Sequence, residues 1–200
     1  MARTYTSDVR AEQSRQTRAT VLRAATEMFL QDGWAATTMA KVAQRAGVAR
    51  QTVYLLFDGK LSLLDAVIDE ALRGATGSPV SDQVDYLAIG RGTRADRVRT
   101  AAAWLDDAHA RSARIQRVLD EAAVTDPAAA VRLAEREENR WQQVRHAATL
   151  VLTADPEPVL VDAIWLLASR TMWLRLVVER GWPRERWREW FATQVDAALR

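Results

Sequence analysis

Between Lys41 and Lys60 the chain reads KVAQRAGVARQTVYLLFDGK, which sets Arg50, Gln51, Thr52 and Tyr54 almost side by side and includes both lysines of the protein. These side chains offer what nucleic-acid recognition requires. A guanidinium pairs bidentately with guanine O6 and N7, and a carboxamide pairs in the same way with adenine N6 and N7. Threonine and tyrosine hydroxyls suit phosphate oxygens. Thr38 opens the helical segment that precedes them. Lys60 opens the one that follows, where a cation and the helix dipole together favour a phosphate. The candidate contacts with double-stranded DNA are therefore Thr38, Arg50, Gln51, Thr52, Tyr54 and Lys60.

Such contacts work only if a short helix is held out from a supporting one. The spacing predicts this arrangement. Thr37 and Thr38 are N-cap candidates, Val42, Ala43 and Ala46 give an apolar face, and Gly47 can take the positive φ that a tight turn needs. Small Ala43, four residues before Gly47, lets two helices cross closely. A short helix from about 49 to 56 then turns Val53, Leu56 and Phe57 inward and leaves Arg50, Gln51, Thr52 and Tyr54 outside. Its N-terminal residues are those that meet base edges when such a helix enters the major groove.

These residues belong to a longer ordered pattern. Val21 and Leu22, Ala24 and Ala25, Phe29, Gly33 and Trp34, Thr37 and Thr38 lead to Val42 and Ala43, then Ala46 to Val48. Thr52 to Tyr54, Phe57, Lys60, and Leu63 with Leu64 complete it. The stretch 21–64 resembles the TetR family of bacterial transcriptional repressors. The resemblance implies an all-α homodimer with an N-terminal helix-turn-helix DNA-binding domain, here 1–59, and a helical effector-binding and dimerisation domain, here 60–200, with 60–73 as linking helix. It also implies that a small-molecule effector changes the separation of the two recognition helices and releases a near-palindromic operator, and that the last two helices of each subunit pair into a four-helix bundle. A member without effector response, acting constitutively, is an alternative. The chain departs from the pattern at Ala49, where serine is usual, so the recognition helix lacks a side-chain cap worth about 1 kcal/mol. Gln51 replaces a common small residue. Leu55 and Leu56 stand where polar or aromatic residues are frequent, and an exposed Leu55 can touch a thymine methyl.

Composition agrees. Residues 1–50 hold eight basic and four acidic residues, an excess of +4, while the whole chain is only +2. A basic front end on a near-neutral body fits a polyanion partner. With no cysteine and only His109 and His146, disulfide scaffolds and thiolate sites are excluded, and neither a metal nor another cofactor is expected. Absence of cysteine, together with a polar N-terminus that has no apolar leader, points to a cytoplasmic protein.

Beyond residue 73 the reading is helical throughout. Residues 74–93 hold four of the eight glycines and read as a connecting loop with one helical turn at 84–89. Helices are expected at 94–110, 113–123, 126–153, 157–180 and 184–199, with a break at Ala110 to Ser112. The segment 157–180 is apolar nearly all round, but Asp162, Arg170, Arg175 and Glu179 argue against a membrane span. Burial on two sides, against its own core and a second subunit, places Ile164, Trp165, Ala168, Met172 and Leu176 at a dimer interface. Eight tryptophans serve either as core filler or, for Trp104, Trp141 and Trp165 with His109, as the lining of an apolar effector pocket. A helical enzyme using His109 with Asp106 or Asp107 in acid–base work is the alternative from another class.

Overall fold

A computed structural model describes residues 2–74 and 77–199. Within these residues the protein is all-α, with no strand. No helix among them is long and apolar enough to cross a membrane. Two compact units form, one from residues 1–69 with 117–130 and the other from residues 70–116 with 131–200.

The first unit contains α1 (Ala2–Ala36), α2 (Met39–Ala46), α3 (Arg50–Leu56) and most of α4 (Gly59–Arg73). Gly33 takes φ 72° and ψ −175° and interrupts the end of α1. Val21, Ala25 and Phe29 of α1, Val42 and Ala43 of α2, Val53 of α3 and Leu63, Leu64 and Ile68 of α4 are all buried. α1 packs on α2, and α2 packs on α3.

The second unit is built from α5 (Val84–Leu87), most of α6 (Arg94–Ala123) and of α7 (Pro127–Leu152), α8 (Pro158–Leu167), α9 (Arg170–Trp173) and α10 (Arg184–Ala198). Its core gathers Tyr86, Ile89, Val98, Ile164, Trp173, Trp187 and Phe191, and Trp187 stacks on Phe191 with ring centroids 5.1 Å apart.

Three sequence expectations need correction here. First, α6 runs unbroken through Ala110 to Ser112. Ser112 looks like a helix breaker, but its hydroxyl donates to the Ala108 carbonyl at 2.6 Å and so finds a partner inside the helix. Second, the segment 157–180 is not one helix. α8 stops at Leu167, Ser169 accepts from the Met172 amide at 3.3 Å to start α9, and residues Leu174–Glu179 continue as a π-helix. Third, the stretch 74–93, of which residues 75 and 76 lie outside the described residues, is more than a connector. It buries Val80, Tyr86 and Ile89. Gln83, also buried, donates to the carbonyls of Leu72 at 3.2 Å and Ser78 at 3.3 Å, closing the end of α4.

Candidate nucleic-acid interface

The turn between α2 and α3 follows from local chemistry. Thr38 is extended at φ −130° and its hydroxyl accepts from the Lys41 amide at 3.3 Å, which caps α2. At the other end Gly47 takes φ 67° and ψ 29°, and the Val48 amide reaches back to the Ala43 carbonyl at 3.0 Å. α3 then starts from Ala49, which is extended and offers no side-chain cap; the Thr52 amide donates to the Ala49 carbonyl at 3.0 Å.

Val53 is fully buried and fixes how α3 is rotated. At 3.6 residues per turn each residue advances about 100°. Gln51 and Leu55 therefore lie about 160° from Val53 on either side and share the outermost ridge, while Thr52 and Tyr54 lie about 100° away on the two flanks. The exposures agree. Arg50 and Gln51 are exposed, Thr52 is half-buried, Tyr54 is 53% exposed and Leu55 79% exposed. Arg50, Gln51 and Tyr54 have no hydrogen-bond or ion-pair partner among the described residues.

Several other cations of this unit are engaged. Lys41 Nζ donates to the Ala36 carbonyl at 3.0 Å, and Arg45 pairs with Glu27 at 2.7 Å. Arg18 lies 4.6 Å from the centre of the Phe57 ring. Lys60, expected at a phosphate, is half-buried: its Nζ donates to the Trp34 carbonyl at 2.8 Å and sits 4.0 Å from the Trp34 ring centre. Burial lowers its pKa from the ordinary lysine value, and the charge of Asp126 opposes that shift. The ammonium thus ties α4 to the end of α1.

With this geometry in place, residues 21–67 match the family model for bacterial regulatory proteins of the tetR family. Over these residues the chain is similar to the TetR family. Over 80 residues it is 36% identical to the HTH-type transcriptional regulator TtgR of Pseudomonas putida, and that stretch covers 38% of each chain. The match thus spans about two fifths of that relative's length. A second relative, the HTH-type transcriptional regulator SrpR of Pseudomonas putida, is 40% identical over 58 residues, 29% of this chain and 27% of its own. Among solved structures, NalD, the secondary repressor of the MexAB-OprM multidrug efflux pump in Pseudomonas aeruginosa, superposes with a TM-score of 0.67. That likeness covers 92% of this chain and 97% of NalD at 20% identity. A transcriptional regulator from Rhodococcus sp. Rha1 gives 0.67 at 18% identity, over 91% of this chain and 95% of its own. At these identities the structural likeness is one of fold. The family model matches residues 21–67, while the fold likeness to NalD covers 92% of this chain.

The relatives it matches are transcriptional regulators. The second unit also gives Asp106 another use. It is fully buried, accepts from Trp173 Nε1 at 2.8 Å and Arg184 Nε at 2.9 Å, and has Arg188 Nε at 3.5 Å. Asp107 pairs with the same Arg184. An acid one turn from Ala102 and three residues from His109 on an apolar stripe was the available signal, but its partners lie on α9 and α10.

Four residues were expected to line an effector pocket, and the structure gives each its own surroundings. Trp104 meets Tyr86 edge-on at 5.0 Å, with its Nε1 3.4 Å from Gln83 Oε1. His109 is buried between the rings of Trp173 and Trp187, 6.2 and 6.1 Å away, and its Nε2 donates to the Ala168 carbonyl at 3.1 Å. Trp141 donates to Asp162 Oδ1 at 2.7 Å. Trp165 lies under the Arg140 guanidinium at 4.4 Å, and its Nε1 is buried without an acceptor among the described residues. No hydrogen bond or ring contact among the described residues joins any two of the four.

The expected dimer residues divide in the same way. Ile164 and Ala168 are buried in the core of their own unit, so they are withdrawn as interface residues. Trp165, Met172 and Leu176 remain half-buried. The apolar side chains that α8 and the π-helix leave exposed are Val159, Leu166 and Val178.

Proposed function

We propose that this protein is a transcriptional repressor that binds a near-palindromic operator in double-stranded DNA as a homodimer, through residues 38 to 60, and releases it when a small apolar molecule binds the second unit. The observation that carries the reading is the set of uncommitted polar groups on α3. Arg50, Gln51 and Tyr54 project from a helix anchored by buried Val53, with no partner among the described residues. Three such groups on one short helix are open to a partner. A DNA duplex supplies acceptors and donors for all of them. Thr38, Thr52 and Lys60 flank them as phosphate contacts, although Lys60 must give up part of its contact with Trp34 to serve as one.

Two subunits would present α3 about 34–36 Å apart to read half-sites one helical turn apart. For the effector, support comes from Trp165, whose buried indole N–H has no acceptor among the described residues and would gain one from a ligand with a polar atom. A ligand can empty the operator only by favouring the arrangement that cannot bind DNA; a 10⁴-fold preference is about 5.5 kcal/mol.

The deciding experiment is selection of duplexes from a random pool, followed by titration of the best duplex. A variant with Arg50, Gln51 and Tyr54 all replaced by alanine should lose the selected site while keeping its helical spectrum. Unchanged affinity in that variant would remove the DNA-binding reading.

A further inference from the structure

The rotation of α3 distinguishes among its exposed residues, and Leu55 is the one that the general reading leaves unexplained. We infer that the base-reading ridge of this protein is Gln51 with Leu55, and that it recognises two A·T pairs within one or two base steps of each other, Gln51 through adenine and Leu55 through a thymine methyl. This rests on the DNA-binding reading above.

The two residues are diametrically opposite buried Val53 and one helical turn apart, so they lead when α3 approaches a groove. Thr52 and Tyr54 are turned toward the groove walls, where phosphates lie. Leu55 is 79% exposed although its neighbours Val53 and Phe57 are buried. A protein partner covering Leu55 would also have to cover Arg50, Gln51 and Tyr54, whose polar groups lack partners, and would desolvate them at a cost. A duplex accepts all four. In the major groove the apolar feature of a base pair is the thymine C5 methyl, so an outward leucine finds a favourable surface only there. Against a cytosine amine or a guanine edge it would strip water from a polar group and return no hydrogen bond. Gln51 has the complementary preference, since its carboxamide pairs bidentately with adenine. Side chains four apart on a helix have Cβ atoms about 5–6 Å from each other. Stacked bases rise about 3.4 Å, which places the two contacts on neighbouring or next-neighbouring pairs.

The test uses the full chain and the best duplex from the random pool, resynthesised with deoxyuridine in place of each thymine in turn. This exchange removes only the methyl. One thymine in each half-site should be sensitive, with affinity falling about fourfold per methyl, the effect of exposing one methyl-sized apolar group. Leu55→Ala should bind the parent duplex more weakly and be indifferent to the exchange at that thymine. Gln51→Ala should lose its preference for adenine one or two steps away and remain sensitive to the methyl. Because Leu55 packs against little, both variants should keep the helical spectrum of the parent, which the same samples report. If no thymine is methyl-sensitive, or if Leu55→Ala keeps the parental sensitivity, the ridge is wrong while the DNA-binding reading stands. If the pool yields no duplex at all, both fall together.

Discussion

His109 shows how one side chain's surroundings become a property of the whole protein. A backbone carbonyl only accepts, so the bond to Ala168 requires the proton on Nε2. Burial pushes the imidazole pKa down from its usual range to about 3; Arg140 and Arg170 push the same way, and the Ala168 bond opposes them. The folded state therefore binds fewer protons at this site than the unfolded chain between about pH 3 and 6.5. Stability from neutral His109 is fully present above pH 6.5 and declines as pH falls below it, by up to about 1.4 kcal/mol per pH unit. Urea midpoints measured from pH 7.5 to 4.5 should show this decline, and His109→Gln should flatten it. An identical slope in the variant would assign the decline to other groups. Asp106, three residues earlier, gives a second prediction. Asp106→Ala leaves Trp173 Nε1 buried without an acceptor and takes the shared carboxylate from Arg184 and Arg188. The loss should be about 1–3 kcal/mol, because Arg184 is 40% exposed and can turn to water. Asp106→Asn, which keeps an acceptor for the indole, should cost clearly less in the same urea titration.

At the scale of elements, the least supported helix is α3. It has seven residues, starts from Ala49 without a side-chain cap, and is held by Val53 alone among its fully buried side chains. Ala49→Ser should add a hydroxyl acceptor for the first turn and stabilise the protein by about 1 kcal/mol, raising Tm by about 2–4 °C for a chain of this size. No change in a calorimetric scan would mean that the α3 terminus is already satisfied by solvent. The helix-turn-helix was readable in advance because its determinants are local: a threonine cap, a left-handed glycine, and apolar residues at helical spacing. What escaped the sequence was set by distant partners. Ala168 ends α8 where its carbonyl receives His109, 59 residues away, and the one local mark of that stop is Ser169, which caps α9. Ser112 resembles a break in α6 only until its hydroxyl finds Ala108. The contact of the Lys60 ammonium with Trp34, 26 residues earlier, is another that no local pattern marks. The apolar character of 157–180 was equally plain, but a segment apolar on every side does not reveal which side faces its own core.

For the whole molecule, that last question becomes a prediction about assembly. α8 turns Val161, Ile164 and Ala168 into the core, while its outer side keeps Val159 at 75% and Leu166 at 61% exposure. The exposed charge on that side, Asp162, is bonded to Trp141, and exposed apolar surface marks a contact site. In the proposed homodimer this outer side of α8 meets a second copy. Ala168→Arg is a poor probe of that contact, since it would put a charge into the core and unfold the unit. Leu166→Arg alters only the outer side, so the helical spectrum should persist while sedimentation shifts from dimer to monomer. Operator affinity should then fall about a hundredfold or more, because binding one half-site no longer brings the second recognition helix to the other. Affinity for an isolated half-site should stay the same, which separates lost assembly from a damaged α3. A Leu166→Arg protein that remains dimeric and keeps full operator affinity would place the interface elsewhere on the second unit.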